Sequence, residues 1–267
     1  MSPLLAPAPA SRAFARHASL RRSWSLLRSF RFEQSDPARF YGAVADDTAL
    51  MLAEVHAGAT GRGLAGDLVL DVGGGPGYFS DAFDELGARY VSVEPDASEM
   101  HAAGIRHPGS VRGSGMALPI RSDSVDVCFS SNVAEHVSAP WRMADEMVRV
   151  VRPGGLVVLP YTLWWGPFGG HETGQWHFLG GELAARRYRR LHGHEPKNRF
   201  GVSLFPITAA AGLRWARATT GAEGPAELVA AFPRYNPWWS WWVLRVPVLR
   251  EVITSNLVLV LRKREQA

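Results

Sequence analysis

The sequence predicts an α/β protein wound around a mostly parallel sheet, and three observations carry that prediction. Val69, Leu70 and Val72 make a short apolar run, suited to a strand buried on both faces. A glycine-rich turn follows at once, and then Phe79, Ala82, Phe83 and Leu86 recur at helical spacing. The third observation is the acid Glu94, which ends a second apolar run, Tyr90 to Val93, 17 residues past Gly77. Strand, glycine turn, helix and strand-end acid together open a nucleotide-binding βαβ unit.

The turn itself reads Asp71-Val72-Gly73-Gly74-Gly75-Pro76-Gly77-Tyr78. Its spacing is G-x-G-x-G, and Tyr78 stands where a dinucleotide fingerprint requires its last glycine. Asp71 lies two residues before the first glycine. A carboxylate there would repel a pyrophosphate but suits a ligand bearing an ammonium or sulfonium group.

In these features the chain resembles the class I S-adenosylmethionine (SAM)-dependent methyltransferases, whose first motif is similar to Asp71-x-Gly73-x-Gly75-x-Gly77. The resemblance implies a Rossmann-like, seven-stranded doubly wound sheet in the order 3-2-1-4-5-7-6, ending in an antiparallel hairpin. It implies SAM as the cofactor. Asp71 would hold the methionine end, Gly73, Gly74, Gly75 and Gly77 the backbone cradle, and Glu94 with Pro95 the ribose side. Gly113-Ser114-Gly115-Met116-Ala117-Leu118-Pro119 resembles the family's adenine segment, which carries an acid where this chain has Ser114. A hydroxyl is a weaker partner for the adenine amino group, so Gly115 backbone and Met116 packing take a larger share.

A short third strand falls near 110–112 and a fourth at 125–129. Ser130 to Val137 leaves the carboxyl end of that fourth strand, where open α/β sheets place ligands. This segment resembles the family's Glu-His-Val ending. It puts Asn132 by the cofactor and makes His136 the one imidazole placed to act as a general base, against a reading in which it only orders the loop. Trp141 to Val151 reads as an amphipathic helix stopped by Pro153-Gly154-Gly155, and Leu156 to Pro160 as the fifth strand. The recognisable motifs cover residues 66 to 160. The rest of the chain is similar to a small actinobacterial group of uncharacterised methyltransferases, a likeness that supplies no acceptor.

Four parts follow from this reading: a tail and helical cap over 1–65, the SAM-binding core over 66–162, an insertion over 163–206, and the rest of the sheet with a Trp-rich segment over 207–267. In the first part, residues 3–10 are Pro/Ala-rich and expected to be disordered. Leu20, Trp24, Leu27 and Phe30 form a helical stripe flanked by arginines, with no acid before Glu33. Cap helix, membrane-surface helix and transit peptide compete for it, and the cap is favoured because the pattern runs on without a cleavage-like break. A further helix is expected over 46–56.

The insertion is rich in Trp, Gly and His, and is expected to wall the acceptor pocket. His171-Glu172 suggests a zinc helix, but His177 is six residues on with Gly174 between, so the pair cannot share a helix face and no metal is expected. A helix over 182–191 carries Arg186, Arg187, Arg189 and Arg190, either a solvated face or a grip for an anion. A helix over 207–219 and strands over 226–232 and 256–261 complete the sheet.

Between those last strands stands Trp238-Trp239-Ser240-Trp241-Trp242. Arg245, Pro247 and the short length exclude a membrane span. The belt either lies at a membrane interface, lines an apolar substrate groove, or packs inward.

Composition narrows the remaining choices. At 267 residues, 46% hydrophobic and 20% charged, the chain is a soluble globular protein. A net charge of +4 does not call for nucleic acid, and none is expected. The single cysteine, Cys128, allows no internal disulfide and suits a reducing, cytoplasmic setting. The expected partner is a small-molecule acceptor, lipophilic if the tryptophans and arginines mark peripheral membrane contact. A non-catalytic SAM-binding module and an NAD(P)-linked oxidoreductase are the other readings.

Overall fold

The computed structural model of the chain describes residues 9–29, 32, 36–100 and 108–265. Its strands are β1 (Leu68–Val72), β2 (Arg89–Glu94), β3 (Ser110–Arg112), β4 (Val125–Phe129), β5 (Val151–Thr162), β6 (Ala226–Pro233) and β7 (Asn256–Lys263). They form one seven-stranded sheet in the order β3-β2-β1-β4-β5-β7-β6. The pairs among β1 to β5 are parallel, and β7 runs antiparallel to both β5 and β6. This is the sheet the motifs implied. Strand β5 starts earlier than expected, because Pro153-Gly154-Gly155 bulges within it: the register with β4 shifts between Val125 and Val127, and Gly154 takes φ 79°.

The helices are α1 (Pro9–Ala15), α2 (Leu20–Ser29), α3 (Pro37–Thr60), α4 (Ser80–Glu85), α5 (Ala97–Met100), α6 (Pro140–Val150), α7 (Gly181–His192), α8 (Ala209–Thr219) and α9 (Pro247–Val252). Two apolar layers sandwich the sheet. On one face Leu70, Val72 and Val157 pack against Met143 and Met147 of α6 and Leu213 and Trp215 of α8. On the other, Val69, Val127 and Val158 meet Phe14 of α1, Leu52 and Val55 of α3 and Phe83 of α4. Alternate side chains of one strand feed opposite layers, which is why β1 is apolar throughout except at Asp71.

Helix α3 is twice as long as the expected 46–56 segment. Its N-cap Asp36 accepts a hydrogen bond from the Arg39 amide, and it ends at Gly61, which adopts φ 76° as a left-handed cap. Gly58 does not stop it: a Cβ there would lie 2.8 Å from the Ala10 backbone, so this glycine lets α1 cross α3 at close range.

Two N-terminal expectations change. Pro9 and Ala10 open α1, with Ala10 buried, while residues 3–8 of the expected disordered tail lie outside the described residues. The stripe on α2 faces the wrong way for a cap: Leu20, Trp24 and Leu27 are exposed, whereas Ser23 and Leu26 are buried. Phe30 lies outside the described residues. What anchors α2 is Arg22, whose Nε and Nη2 donate to Asp47 of α3 at 2.6 and 2.8 Å.

The Trp-rich segment is a short 3-10 stretch, Trp238–Arg245. Trp241 alone of its four indoles packs inward, stacking on Phe232 at 4.8 Å. Trp238, Trp239 and Trp242 are exposed.

Candidate active site

The glycine turn leaves β1 at its carboxyl end and bends over the sheet. Gly73, Gly75 and Gly77 take φ of 84°, 53° and 92°, the left-handed region in which a side chain would be strained. A Cβ at Gly73 would also strike Val133, while one at Gly75 would project into open space. The turn thus offers bare backbone to a ligand. Tyr41 of α3 stacks on Tyr78 at 4.6 Å, so α3 closes over the end of the turn.

Beside the turn is a cavity of about 260 Å³ lined by Gly73, Pro95, Ser114, Gly115, Met116 and His136, with Val202 and Phe205 from the insertion. The structure therefore brings together the turn, the end of β2, the adenine segment and the post-β4 loop, all from the carboxyl side of the sheet. Glu94 sits next to Pro95. Its carboxylate accepts hydrogen bonds from the amides of Gly75 at 3.2 Å and Asp96 at 3.1 Å. Burial raises its pKa above the usual glutamate range, and those two amides oppose the rise. Ser114 Oγ accepts from the Met116 amide at 3.2 Å, which shapes the segment from within.

Gly74, Gly75, Gly77 and Glu94 lie outside the cavity lining, and two further expected contacts are placed elsewhere. Asp71 does not line the cavity: it is buried beneath the turn, where Tyr90 donates to its carboxylate at 2.6 Å. A Cβ on Gly74 would lie 2.8 Å from that same carboxylate, so any pull on a ligand's ammonium acts through the turn. Asn132, at φ 58°, accepts a hydrogen bond from the Asn256 side chain at 2.8 Å and ties the post-β4 loop to β7. Tyr90 is the partner that sequence reasoning missed. The signal was the parallel register, since Asp71 pairs with Ser92 and a residue two positions away shares its face.

Burial raises the Asp71 pKa to about 7. An acid whose folded pKa lies above its unfolded value binds more protons when folded, so its contribution to stability falls as pH rises from about 4 to about 7. Asp71→Asn is expected to raise the unfolding temperature by several degrees at pH 8 and by roughly a third as much at pH 5. Thermal unfolding of both proteins at the two pH values checks this, and an equal shift at both would remove the cause given.

His136 Nδ1 lies 2.7 Å from the Ser203 carbonyl, which only accepts. The ring proton therefore sits on Nδ1, leaving a lone pair on Nε2. The insertion that supplies Ser203 also returns an amide, from Phe205, to the Glu135 carbonyl at 2.7 Å. The α7 arginines do not line the cavity: Arg187 stacks over Trp176, and Arg189 pairs with Glu195 at 2.6 Å.

A glycine turn on bare backbone, an acid at the end of β2 and a cavity at the carboxyl ends of β1 and β4 define a class I SAM-dependent methyltransferase. A family model described as a methyltransferase domain matches residues 70–159. An uncharacterised methyltransferase of Mycobacterium marinum is 60% identical over 255 residues, spanning 94% of this chain and 98% of its own. One of Mycobacteroides abscessus is 58% identical over 258 residues, spanning 94% and 97%. The chain belongs to this methyltransferase family. A SAM-dependent methyltransferase structure from Thermotoga maritima shares the fold at TM-score 0.51 and 14% identity, covering 95% of this chain and 99% of that one.

Proposed function

We propose that this methyltransferase acts on a lipophilic acceptor while attached to an anionic membrane surface. The observation that carries the reading is a groove of about 620 Å³ between α1 and the Trp238–Arg245 segment. Trp238, Trp239 and Trp242 wall it, and Arg12, Arg16 and Arg245 stand around them. Trp238 and Trp239 are each 58% exposed, far more than indoles that serve a core. Indole favours the lipid headgroup level, and each nearby cation adds roughly 1 kcal/mol of attraction to anionic lipid.

Helix α2 extends this surface. Its Leu20, Trp24 and Leu27 stripe is exposed, and the Trp238 amide donates to Ala18 just before α2 at 2.8 Å. No helix among the described residues is long and apolar enough to cross a membrane, so contact through them is peripheral.

The groove shares no lining residue with the cofactor cavity, so it serves attachment rather than chemistry. An apolar acceptor reaches the cavity past the insertion, where Trp165, Trp176, Phe178 and Leu179 are exposed. Bound SAM supplies a methyl group already activated by its sulfonium, transferred by in-line displacement. The chain then has to align the acceptor and exclude water, with Glu94 and the turn fixing one reactant and His136 Nε2 on the acceptor side.

Flotation with vesicles tests the attachment. Binding to anionic vesicles at low salt is expected, weakened by salt and by the combined Trp238→Ala, Trp239→Ala and Trp242→Ala change. No flotation of the intact chain would remove the membrane part. Transfer of labelled methyl from SAM into lipid extracts tests the acceptor, and transfer into water-soluble compounds alone would overturn that half.

A further inference from the structure

The loop after β4 carries a second polar cluster that shares only His136 with the cofactor cavity. Glu135 is 1% exposed, and among the described residues neither of its carboxylate oxygens has a hydrogen-bond partner. An isolated buried carboxylate costs several kcal/mol, about as much as a buried ion of any kind without compensation. It is held at that depth only if a proton or a cation neutralises it. Two imidazoles are within reach: one ligand atom each from Glu135, His136 and His171 lie within 4.8 Å of one another.

Each imidazole is prepared to give a lone pair. His136 has its proton fixed on Nδ1 by the Ser203 carbonyl at 2.7 Å, the arrangement by which an outer carbonyl orients a ligating histidine. His171 Nε2 is buried and has no partner among the described residues. The His171 backbone adopts φ 47°, an uncommon conformation for a residue with a side chain. The chain around it is clamped, since the next residue, Glu172, accepts from the amide and side chain of Asn198 at 2.6 and 2.9 Å. His177 Nε2 is also buried without a partner, but it stands outside the three-residue set.

We propose that Glu135, His136 and His171 bind a divalent first-row metal ion of the zinc type. Two imidazoles and one carboxylate are the donor set of open zinc sites and of related iron sites. Two ligands about 2.1 Å from zinc at the tetrahedral angle stand about 3.4 Å apart, so small rotamer changes close the present spacing. The expectation of no metal rested on His171 and His177, which a break at Gly174 (φ 62°, ψ −148°) does keep off a common helix face. The sequence gives no hint that His171 instead meets Glu135 and His136 across the insertion.

His136 belongs to both the cluster and the cavity wall, so the ion adjoins the cofactor cavity with coordination positions to spare. This deepens the methyltransferase reading, on which only the ion's role rests: with His136 Nε2 on the ion and no longer free as a base, the ion would orient an oxygen or nitrogen of the acceptor beside the methyl donor. Metal binding itself is independent of the acceptor's nature.

The test uses the full chain, stripped with a chelator and then titrated with Zn²⁺ and with Co²⁺. The expected result is one ion per chain after dialysis, with visible Co²⁺ d–d bands. Glu135→Gln and His171→Asn should each weaken binding by tenfold or more. Calorimetric titration with SAM reports on the fold and cofactor site of each variant separately. The metal-free Glu135→Gln protein should unfold no earlier than the metal-free parent, because the change removes a buried carboxyl that has no hydrogen-bond partner among the described residues. The proposal is overturned if the parent takes up less than a tenth of an equivalent of both ions, or if uptake is unchanged in both variants. Neither result would touch SAM binding, so the methyltransferase reading and the metal site fail separately.

Discussion

Replacing Asp47 with alanine should destabilise the chain by about 3–5 kcal/mol, the usual cost of removing one member of a buried ion cluster. Asp47 and Arg234 are both buried, and Arg234 is wholly so. Arg22 holds the same carboxylate at 2.6 Å, and Arg234 reaches it at 3.4 Å while also donating to Thr48 at 2.7 Å and Ser131 at 2.9 Å. A third Arg22 donor, Nη1, reaches the Arg234 carbonyl at 2.9 Å. Without Asp47, one guanidinium remains fully buried and another mostly buried, with no ion-pair partner among the described residues to offset them. Because the cluster joins α2, α3, the end of β4 and the residue after β6, the loss should appear as an unfolding temperature lower by roughly 10 °C. Arg16→Ala is the contrasting variant: its 3.5 Å pair with Glu54 is at the surface, and such pairs contribute about 1 kcal/mol or less. Equal stability of the two variants in denaturant titration would show that Asp47 does not hold the N-terminal helices.

The sequence announces the glycine turn, Glu94 and the buried strands because each depends on local chemistry, whereas the strand order comes only with the family resemblance. Positive φ needs glycine, a buried parallel strand needs an apolar run, and a strand-end acid falls at a countable distance. The Asp47–Arg234 cluster depends instead on residues 187 positions apart meeting inside the protein. Nothing in the composition around Arg234 separates a buried guanidinium from a solvated one. The orientation of α2 was hidden for a related reason. Its helical periodicity identifies an apolar stripe but not which neighbour covers it, and here Arg22 fixes the helix with the stripe outward. The resemblance puts Asp71 at the methionine end of SAM, and the structure buries it outside the cavity lining. Its partner, Tyr90, required the register of β1 on β2, and that register puts the acid under the backbone cradle rather than in the cavity.

Glu94→Ala should weaken SAM binding by roughly tenfold or more, since a lost hydrogen bond to a charged group costs on the order of 1.5–3 kcal/mol. In the free protein its two oxygens already take the amides of Gly75 and Asp96, one from the glycine turn and one from the residue that follows β2 by two. Each carboxylate oxygen has a further lone pair, and the side chain stands at the end of β2, where a doubly wound sheet receives ribose hydroxyls. The acid fixes the turn through the Gly75 amide and, on the proposed assignment, also keeps acceptors toward the ligand. Alanine removes both. Glutamine keeps the length and one carbonyl oxygen, but must turn an N–H toward one of the two backbone amides. It should therefore recover little of the affinity. Isothermal titration of SAM into each variant measures the loss, with thermal unfolding to confirm that the sheet is intact. Parental affinity in the alanine variant would take Glu94 out of the cofactor site and leave it only as a brace for the glycine turn.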